Sequence, residues 1–426
     1  MSFLMIFALA AFAVIFIIIS TEKINKTIVV VIAAGIFIIL GIIDQETAFL
    51  EIDWNVIFLL IGMMIIVGIT KKTGVFQYFA IKVAKIAKGN PITILVMLSA
   101  LTAVLSALLD NVTTVLILTP VSILIAVELG LPPILFVISE AIASNIGGAA
   151  TLIGDPPNIM IGSAADLGFM DFIVNLGPIV VINIIVLSVV VFIFFRKKMH
   201  VPRDRRARIM EFDETQAIKD KPLLIKSIIV VGMVILGFVF HGMLNLEPAT
   251  IALFGAGVLM LLSGKKEVEE LFHEVEWGTI FFFIGLFIIV GGLVKLGIIE
   301  IAAQFLLNST NNDIPMTSYL MIWVSGLFSS FLDNIPYVAT MIPLVKNLGA
   351  TLGDAQVIPI WWSLAMGACF GGNGTLVGAS ANVVSAGICS KSGYKISFLE
   401  FTKYGSIATV ITLITSTVYV YLVYLH

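Results

Sequence analysis

Residues 51–75, EIDWNVIFLLIGMMIIVGITKKTGV, align without a gap on residues 274–298, EVEWGTIFFFIGLFIIVGGLVKLGI, at an offset of 223. Twelve of the 25 positions are identical, and they include Glu51/Glu274, Trp54/Trp277, Gly62/Gly285, Gly68/Gly291, Lys72/Lys295 and Gly74/Gly297. Shared apolar composition does not bring polar residues and glycines into register; an internal duplication does. The offset persists along the chain. Residues 106–111, SALLDN, fall on 329–334, SSFLDN, and Pro120 falls on Pro343. With one inserted residue, 147–158, GGAATLIGDPPN, falls on 371–382, GGNGTLVGASAN.

The medium in which this duplicated unit folds follows from composition. The 426 residues are 59% hydrophobic and 12% charged, with a mean hydropathy of +1.11, and only a bilayer solvates such a chain. A spanning helix needs about 20 mostly apolar residues, and stretches 3–20, 27–43, 56–70, 173–195, 226–243 and 405–425 supply them. The first reads as a span rather than a signal peptide, because it lacks a basic start and a small-residue cleavage site before Glu22. Cys369 and Cys389 are the only cysteines and both lie in apolar context, which suits small core residues rather than a disulfide framework or metal site. The formal net charge of -3 implies no nucleic-acid surface.

The expected fold is an all-α polytopic membrane protein of two inverted repeats. Each repeat holds about five transmembrane helices, one of them broken, plus a re-entrant helical hairpin. Residues 1–195 form the first repeat, with hairpin 91–128 and broken helix 133–163; residues 226–426 form the second, with hairpin 316–350 and broken helix 357–387. Between them 196–225 is a basic cytoplasmic linker. This arrangement puts connections 21–26, 71–90, 196–226, 264–278 and 388–404 on one side, with 22 of the 24 Lys and Arg residues; only Lys295 and Lys346 fall outside it. The positive-inside rule makes that side cytoplasmic and both termini extracytoplasmic, in the cell's inner (plasma) membrane. An odd number of spans per half inserts the second copy upside down, the plan of secondary transporters.

Four acidic residues lie deep in apolar stretches: Asp110, Glu140, Asp155 and Asp333. An ionisable group at that depth costs several kcal/mol unless paired or hydrated, and so marks a site. Asp110-Asn111-Val112-Thr113-Thr114 and Asp333-Asn334-Ile335-Pro336 stand near the two hairpin tips, where the structural alternative is helix capping. The glycines and prolines of GGAATLIGDPPN and GGNGTLVGASAN interrupt helices in mid-membrane, and unwound backbone is tolerated there only where it lines a cavity. Thr151, Asn158, Thr375, Ser380 and Asn382 supply neutral oxygens that suit sodium, and Asn145 and Asn373 complete the set of ion or substrate contacts. Asp155 falls on Ala379, which leaves the first half's site the more acidic, and Glu140 falls on Leu364, which leaves its role open. Trp361-Trp362 reads as an interfacial anchor.

The blocks LDNVTTVLILTP, NIGGAATLIGDPPNIMI, SSFLDNIPYVATMIPL and GACFGGNGTLVGASANVVSAGI closely resemble the arsenite permease (ArsB)/NhaD antiporter/P-protein group of the ion transporter superfamily. The melanosomal P-protein branch is the most similar in motifs, and the likeness covers essentially the whole membrane region. The group is related more distantly to the divalent-anion:sodium symporters, with their citrate transporter-like domain and elevator mechanism. The resemblance implies two cation sites: one from Asp110, Asn111, Thr113, Thr151, Asp155 and Asn158, the other from Asp333, Asn334, Thr375, Ser380 and Asn382, with substrate between. It also implies a homodimer. The dicarboxylate symporters carry Ser-Asn-Thr at their tips where this chain has Asp-Asn, which disfavours a multiply charged dicarboxylate.

The expectation for function is a secondary active transporter for arsenite, antimonite, an anion or Na+, coupled to Na+ or H+, with a Na+/H+ antiporter proper as the alternative. No other cofactor is expected. An intramembrane aspartyl protease would need GxGD, and Leu152-Ile-Gly154-Asp155 lacks its first glycine. No GxxxxGK[ST] motif is present, so a true arsenite pump would need a separate soluble ATPase. An enzyme is not expected; a passive channel would be distinguished by counterflow.

Overall fold

A computed structural model describes residues 3–21, 23–196, 199–264 and 269–426. Lys197, Lys198, Lys265 and Lys266 of the basic set lie outside the described residues. The first half runs α1 (Phe3–Thr21), α2 (Lys26–Ile39), α3 (Gln45–Leu50), α4 (Trp54–Lys72), α5 (Val75–Ile86), α6 (Pro91–Leu108), α7 (Asn111–Glu128), α8 (Ile134–Gly148), α9 (Pro156–Ala165) and α10 (Phe169–Phe195). A linker helix α11 (Arg203–Glu211) follows. The second half runs α12 (Lys221–Leu244), α13 (Pro248–Ser263), α14 (Glu269–Phe272), α15 (Trp277–Lys295), α16 (Ile298–Ser309), α17 (Ile314–Phe331), α18 (Asn334–Leu352), α19 (Ile358–Gly371), α20 (Ser380–Lys391) and α21 (Phe398–Tyr424).

The order long, short, long, long, interrupted, long thus occurs twice, and α4/α15, α5/α16, α6/α17 and α10/α21 match in length. Equivalent side chains start equivalent helices. Asn90 Oδ1 accepts from Thr93 N (3.3 Å) ahead of α6, and Asp313 Oδ1 accepts from Met316 N (3.4 Å) ahead of α17. Among the described residues eight helices are long and apolar enough to cross a membrane, and the fold is an all-α polytopic membrane protein. Its apolar outer surface, with Phe254, Leu261, Phe305 and Leu399 exposed, faces the hydrocarbon that solvates it.

The halves interlock reciprocally. Helix α4 packs along α13 and α15 along α2, pairings related by the same offset. Small residues permit this: a side chain on Gly62 would meet Ala252, and one on Gly285 would meet Val30. The end of α4 lies beside the start of α15, where Lys72 Nζ is 2.6 Å from Glu274 Oε1. The end of α15 lies beside the start of α4, since Gly291 abuts Glu51. Equivalent helices therefore run antiparallel.

Helices α6 and α7 form a hairpin whose two ends meet at one place: Gly89 lies against Arg206 and Gly130 against Arg205. In the second copy the Ser325 and Tyr337 hydroxyls, on opposite arms, are 3.0 Å apart, which a continuous helix would prevent. The connection 71–90 is not a plain loop, because it contains the twelve-residue amphipathic helix α5, which like its equivalent α16 is braced on the outgoing hairpin arm. Trp361 and Trp362 correct the interfacial reading. Both are buried, and Trp362 meets Phe172 edge-on with centroids 5.2 Å apart; they lie on the protein-facing side of α19, where helix packing overrides any interfacial preference.

The linker docks on the first hairpin's base through Ile209, and Lys85 Nζ reaches Glu214 Oε2 at 2.5 Å. That hydrogen bond holds the Glu214 carboxyl below its ordinary range. A depressed folded-state value means the contact is fully made above the carboxyl's ordinary range and lost as pH falls through the depressed one. Glu214→Gln should therefore speed tryptic cleavage at Arg203–Arg208 at neutral pH, and wild type should approach the variant's rate after acidification. An unchanged cleavage rate in the variant would remove the pair from linker docking.

Candidate functional site

Each hairpin turns where an aspartate takes over as cap of the next helix. Asp110 Oδ1 accepts from Thr113 N at 2.7 Å, and Asp333 Oδ1 accepts from Ile335 N at 3.1 Å. Capping is thus one role of both residues, and it leaves each a second carboxylate oxygen. The next residues, Asn111 and Asn334, begin α7 and α18 and turn their side chains inward.

The two interrupted helices supply the facing wall. Residues 149–155 separate α8 from α9 and residues 372–379 separate α19 from α20, leaving orphan backbone groups at each break. Asn158 Nδ2 donates to the carbonyls of Ala149 (3.2 Å) and Thr151 (2.9 Å), and Asn382 Nδ2 donates to those of Gly372 (2.8 Å) and Thr375 (3.0 Å). The threonines tie each break to a hairpin arm: Thr151 Oγ1 donates to Ala107 O and Thr375 Oγ1 to Ser330 O, both at 2.5 Å. Four of the expected oxygen ligands therefore hold unwound backbone in place.

The centre is Asp155, fully buried. Its carboxylate accepts from Asn111 Nδ2 (3.3 Å) on the first hairpin and Asn334 Nδ2 (3.2 Å) on the second. Asn145, also fully buried, extends the network by accepting from Asn111 Nδ2 at 3.1 Å. It donates to Asn373 Oδ1 (2.9 Å) and Asn382 Oδ1 (3.0 Å). Asn373 Nδ2 is buried without a partner among the described residues. A chain of one carboxylate and five amides thus joins both hairpin tips and both helix breaks.

Several expected residues stand elsewhere. Thr113 contributes its backbone N–H to the cap, and Thr114 is buried with its hydroxyl unpartnered among the described residues. Ser380 lies beside Asp333, 3.0 Å from its Oδ2. Glu140 is outside the centre: Ser122 Oγ on α7 donates to it, clamping α8 to the outgoing arm. Two participants were not expected. Cys369 donates its thiol to Asn158 Oδ1 at 3.6 Å, and the signal for it was positional, since it falls on Asn145 in the duplicated register. Lys26, read as a loop lysine, reaches Asp333 at 2.5 Å.

Comparison with known proteins places this geometry in a family. An uncharacterized transporter of Mycobacterium tuberculosis is 45% identical over 98% of both chains, and a 46 kDa membrane protein of Mycobacterium leprae is 45% identical over 99% of both. The mouse P protein is 34% identical across 83% of this chain and 52% of its own length. The family model described as citrate transporter matches residues 16–367, and the chain belongs to that family of membrane transporters.

Proposed function

We propose that the chain is a secondary active transporter in which a cation or proton binds at Asp155 and a small inorganic solute binds between the hairpin tips. The observation that carries this reading is the convergence of Asn111 and Asn334, from opposite halves, on one buried carboxylate. An ion placed there is felt by both tips at once, the condition for coupling two gates. The amide oxygens of Asn111 and Asn334 receive no hydrogen bond among the described residues, so rotation of either amide would offer an ion at Asp155 an oxygen in place of the nitrogen that now faces the carboxylate. Binding neutralises the carboxylate and closes the tips, and the loaded hairpins and broken helices cross against the α4/α13 and α2/α15 layers as an elevator.

Citrate belongs to the family's description; the charge of this site favours other cargo. Asp110, Asp155 and Asp333 stand at the two tips and the first helix break and Lys26 offsets only Asp333, a negative balance that suits a neutral metalloid hydroxide such as arsenite or antimonite, an alkali cation, or a proton-linked anion. The buried carboxylate also supports the second reading, exchange of Na+ for H+, because one group takes either ion. The membrane is the cell's inner membrane, with the basic connections cytoplasmic. The working unit is a homodimer, and a soluble ATPase partner enters only if the chain is a pump. The purified protein is to be reconstituted in liposomes containing a pH dye and exposed to sodium, lithium, arsenite and antimonite gradients in turn. Saturable, counterflow-competent flux that Asp110→Ala or Asp333→Ala reduces at least about tenfold, a loss of about 1.4 kcal/mol of transition-state stabilisation, supports the scheme. Wild-type flux in both variants refutes it, and a sodium-driven pH change without metalloid flux selects the antiporter.

A further inference from the structure

The second of the two cation sites implied by the family resemblance does not fit a free cation, because a side chain of the protein already fills it. Lys26 Nζ, at the start of α2, stands 2.5 Å from Asp333 Oδ2 and 2.9 Å from Ser380 Oγ. The Phe282 ring on α15 covers it, 5.0 Å from nitrogen to centroid. Of the other candidates of that site, Asn382 Oδ1 already accepts from Asn145 Nδ2 at 3.0 Å, Thr375 Oγ1 is tied to Ser330 O, and Asn334 turns its amide nitrogen to Asp155 rather than to Asp333. Carboxylate, hydroxyl and ring face contact the ammonium on three sides, and its remaining side opens to the adjoining cavity.

The arrangement breaks the internal symmetry in one direction. At the offset of 223, Lys26-Thr27 falls on Ala249-Thr250, so the second half offers no matching ammonium to Asp110. Asp155 falls on Ala379, so the second half also lacks the central carboxylate. The first site has gained a negative charge and the second a positive one. Two asymmetries of opposite sign distinguish one exchangeable site from one permanently occupied.

We propose that the Lys26 ammonium is a tethered cation occupying the second site, so that the exchangeable ion of the transport cycle enters only at Asp155. This rests on the reading of Asp155 as the coupling site. Because α2 packs on α15 and Asp333 caps the mobile hairpin, the pair also latches the second hairpin to the flanking layer. A cavity of about 230 Å³ lined by Lys26, Asp333, Ser380 and Val384 opens beside the pair, so a free ion can reach the site once the ammonium is removed.

The test measures radioactive sodium bound per chain, and the thermal unfolding midpoint against sodium with choline replacing it at constant ionic strength. Lys26→Met should bind one more sodium ion than wild type and gain a saturable upward midpoint shift. Lys26→Arg, which keeps the charge, should gain neither, and Asp333→Asn in the Lys26→Met background should remove the gain. Two sodium ions per wild-type chain, or equal stoichiometry in wild type and Lys26→Met, overturns the proposal. The wild-type measurement stands even where Lys26→Met does not fold. If wild type binds no sodium, coupling at Asp155 falls to the proton or fails, while the added ion in Lys26→Met still supports the tethered cation.

Discussion

Replacing Asp155 by asparagine should lower transport by at least about 100-fold, or about 2.7 kcal/mol of transition-state stabilisation, with little change in the amount of folded protein. The amide keeps the size of the carboxylate but removes its charge, and it presents one acceptor where two amide donors now converge. Alanine at the same position should fold as well, because the equivalent position is Ala379 and an apolar residue is accommodated in that setting. In the alanine variant Asn111 keeps Asn145 as a partner, whereas Asn334 loses its acceptor; an unsatisfied buried amide costs about 1–3 kcal/mol. Counterflow in proteoliposomes, paired with size-exclusion profiles of the same preparations, separates the two effects. Wild-type counterflow in Asp155→Asn would remove the carboxylate from the mechanism.

The second large effect concerns folding. Gly147 and Gly371, at the ends of α8 and α19, lie directly on the backbones of the incoming hairpin arms. A Cβ at Gly371 would meet the Gly326 backbone at 2.6 Å, and one at Gly147 would meet that of Ala103. Backbone cannot rotate away as a side chain can, so leucine at either position should exceed the ordinary overpacking cost of about 1–3 kcal/mol. We expect Gly147→Leu and Gly371→Leu to yield aggregated or proteolysed protein at normal expression temperature. Gly232 on α12 has nothing within 4 Å of its Cβ position, and Gly232→Leu should be as stable as wild type. The readout is the size-exclusion profile and thermal midpoint in detergent; monodisperse protein with an unchanged midpoint in either buried variant would contradict the packing argument.

The two effects rest on the same contacts. The glycines allow α6 and α17 to approach α8 and α19, and that approach brings Ser106 Oγ to Ser144 O (2.7 Å) and Ser329 Oγ to Ala368 O (2.6 Å). Those bonds hold the hairpin arms against the broken helices, and the tips carrying Asn111 and Asn334 then reach Asp155. Lys26 acts on the second tip from outside this frame.

Much of the architecture was legible in the sequence, because a register of identical glycines, tryptophans and Asp-Asn pairs survives wherever both copies need the same backbone. Helix breaks at 149–155 and 372–379 follow from local glycine and proline content, and hairpin tips at Asp110 and Asp333 follow from polar pairs within apolar runs. These are short-range properties of the chain. Helix α5 lies in a stretch that reads as a connection, because twelve amphipathic residues between charged loops carry no spanning signal. Trp361 and Trp362 were placed at the interface because composition does not say whether a helix face meets lipid or protein.

What the sequence by itself determined is the membrane as solvent, the duplicated order of helices, and the small set of polar residues from which a site is built. Only the tertiary structure decided what each of those residues does. It turned Asn158 and Asn382 toward unwound backbone, set Glu140 apart with Ser122, gathered Asn111 and Asn334 on Asp155, and sent Lys26 to Asp333 across 307 positions of chain. The physical reason is that helix propensity and hydropathy act over a few turns. The partner of a buried charge is chosen by whichever distant side chain the packing of antiparallel halves delivers within hydrogen-bonding distance.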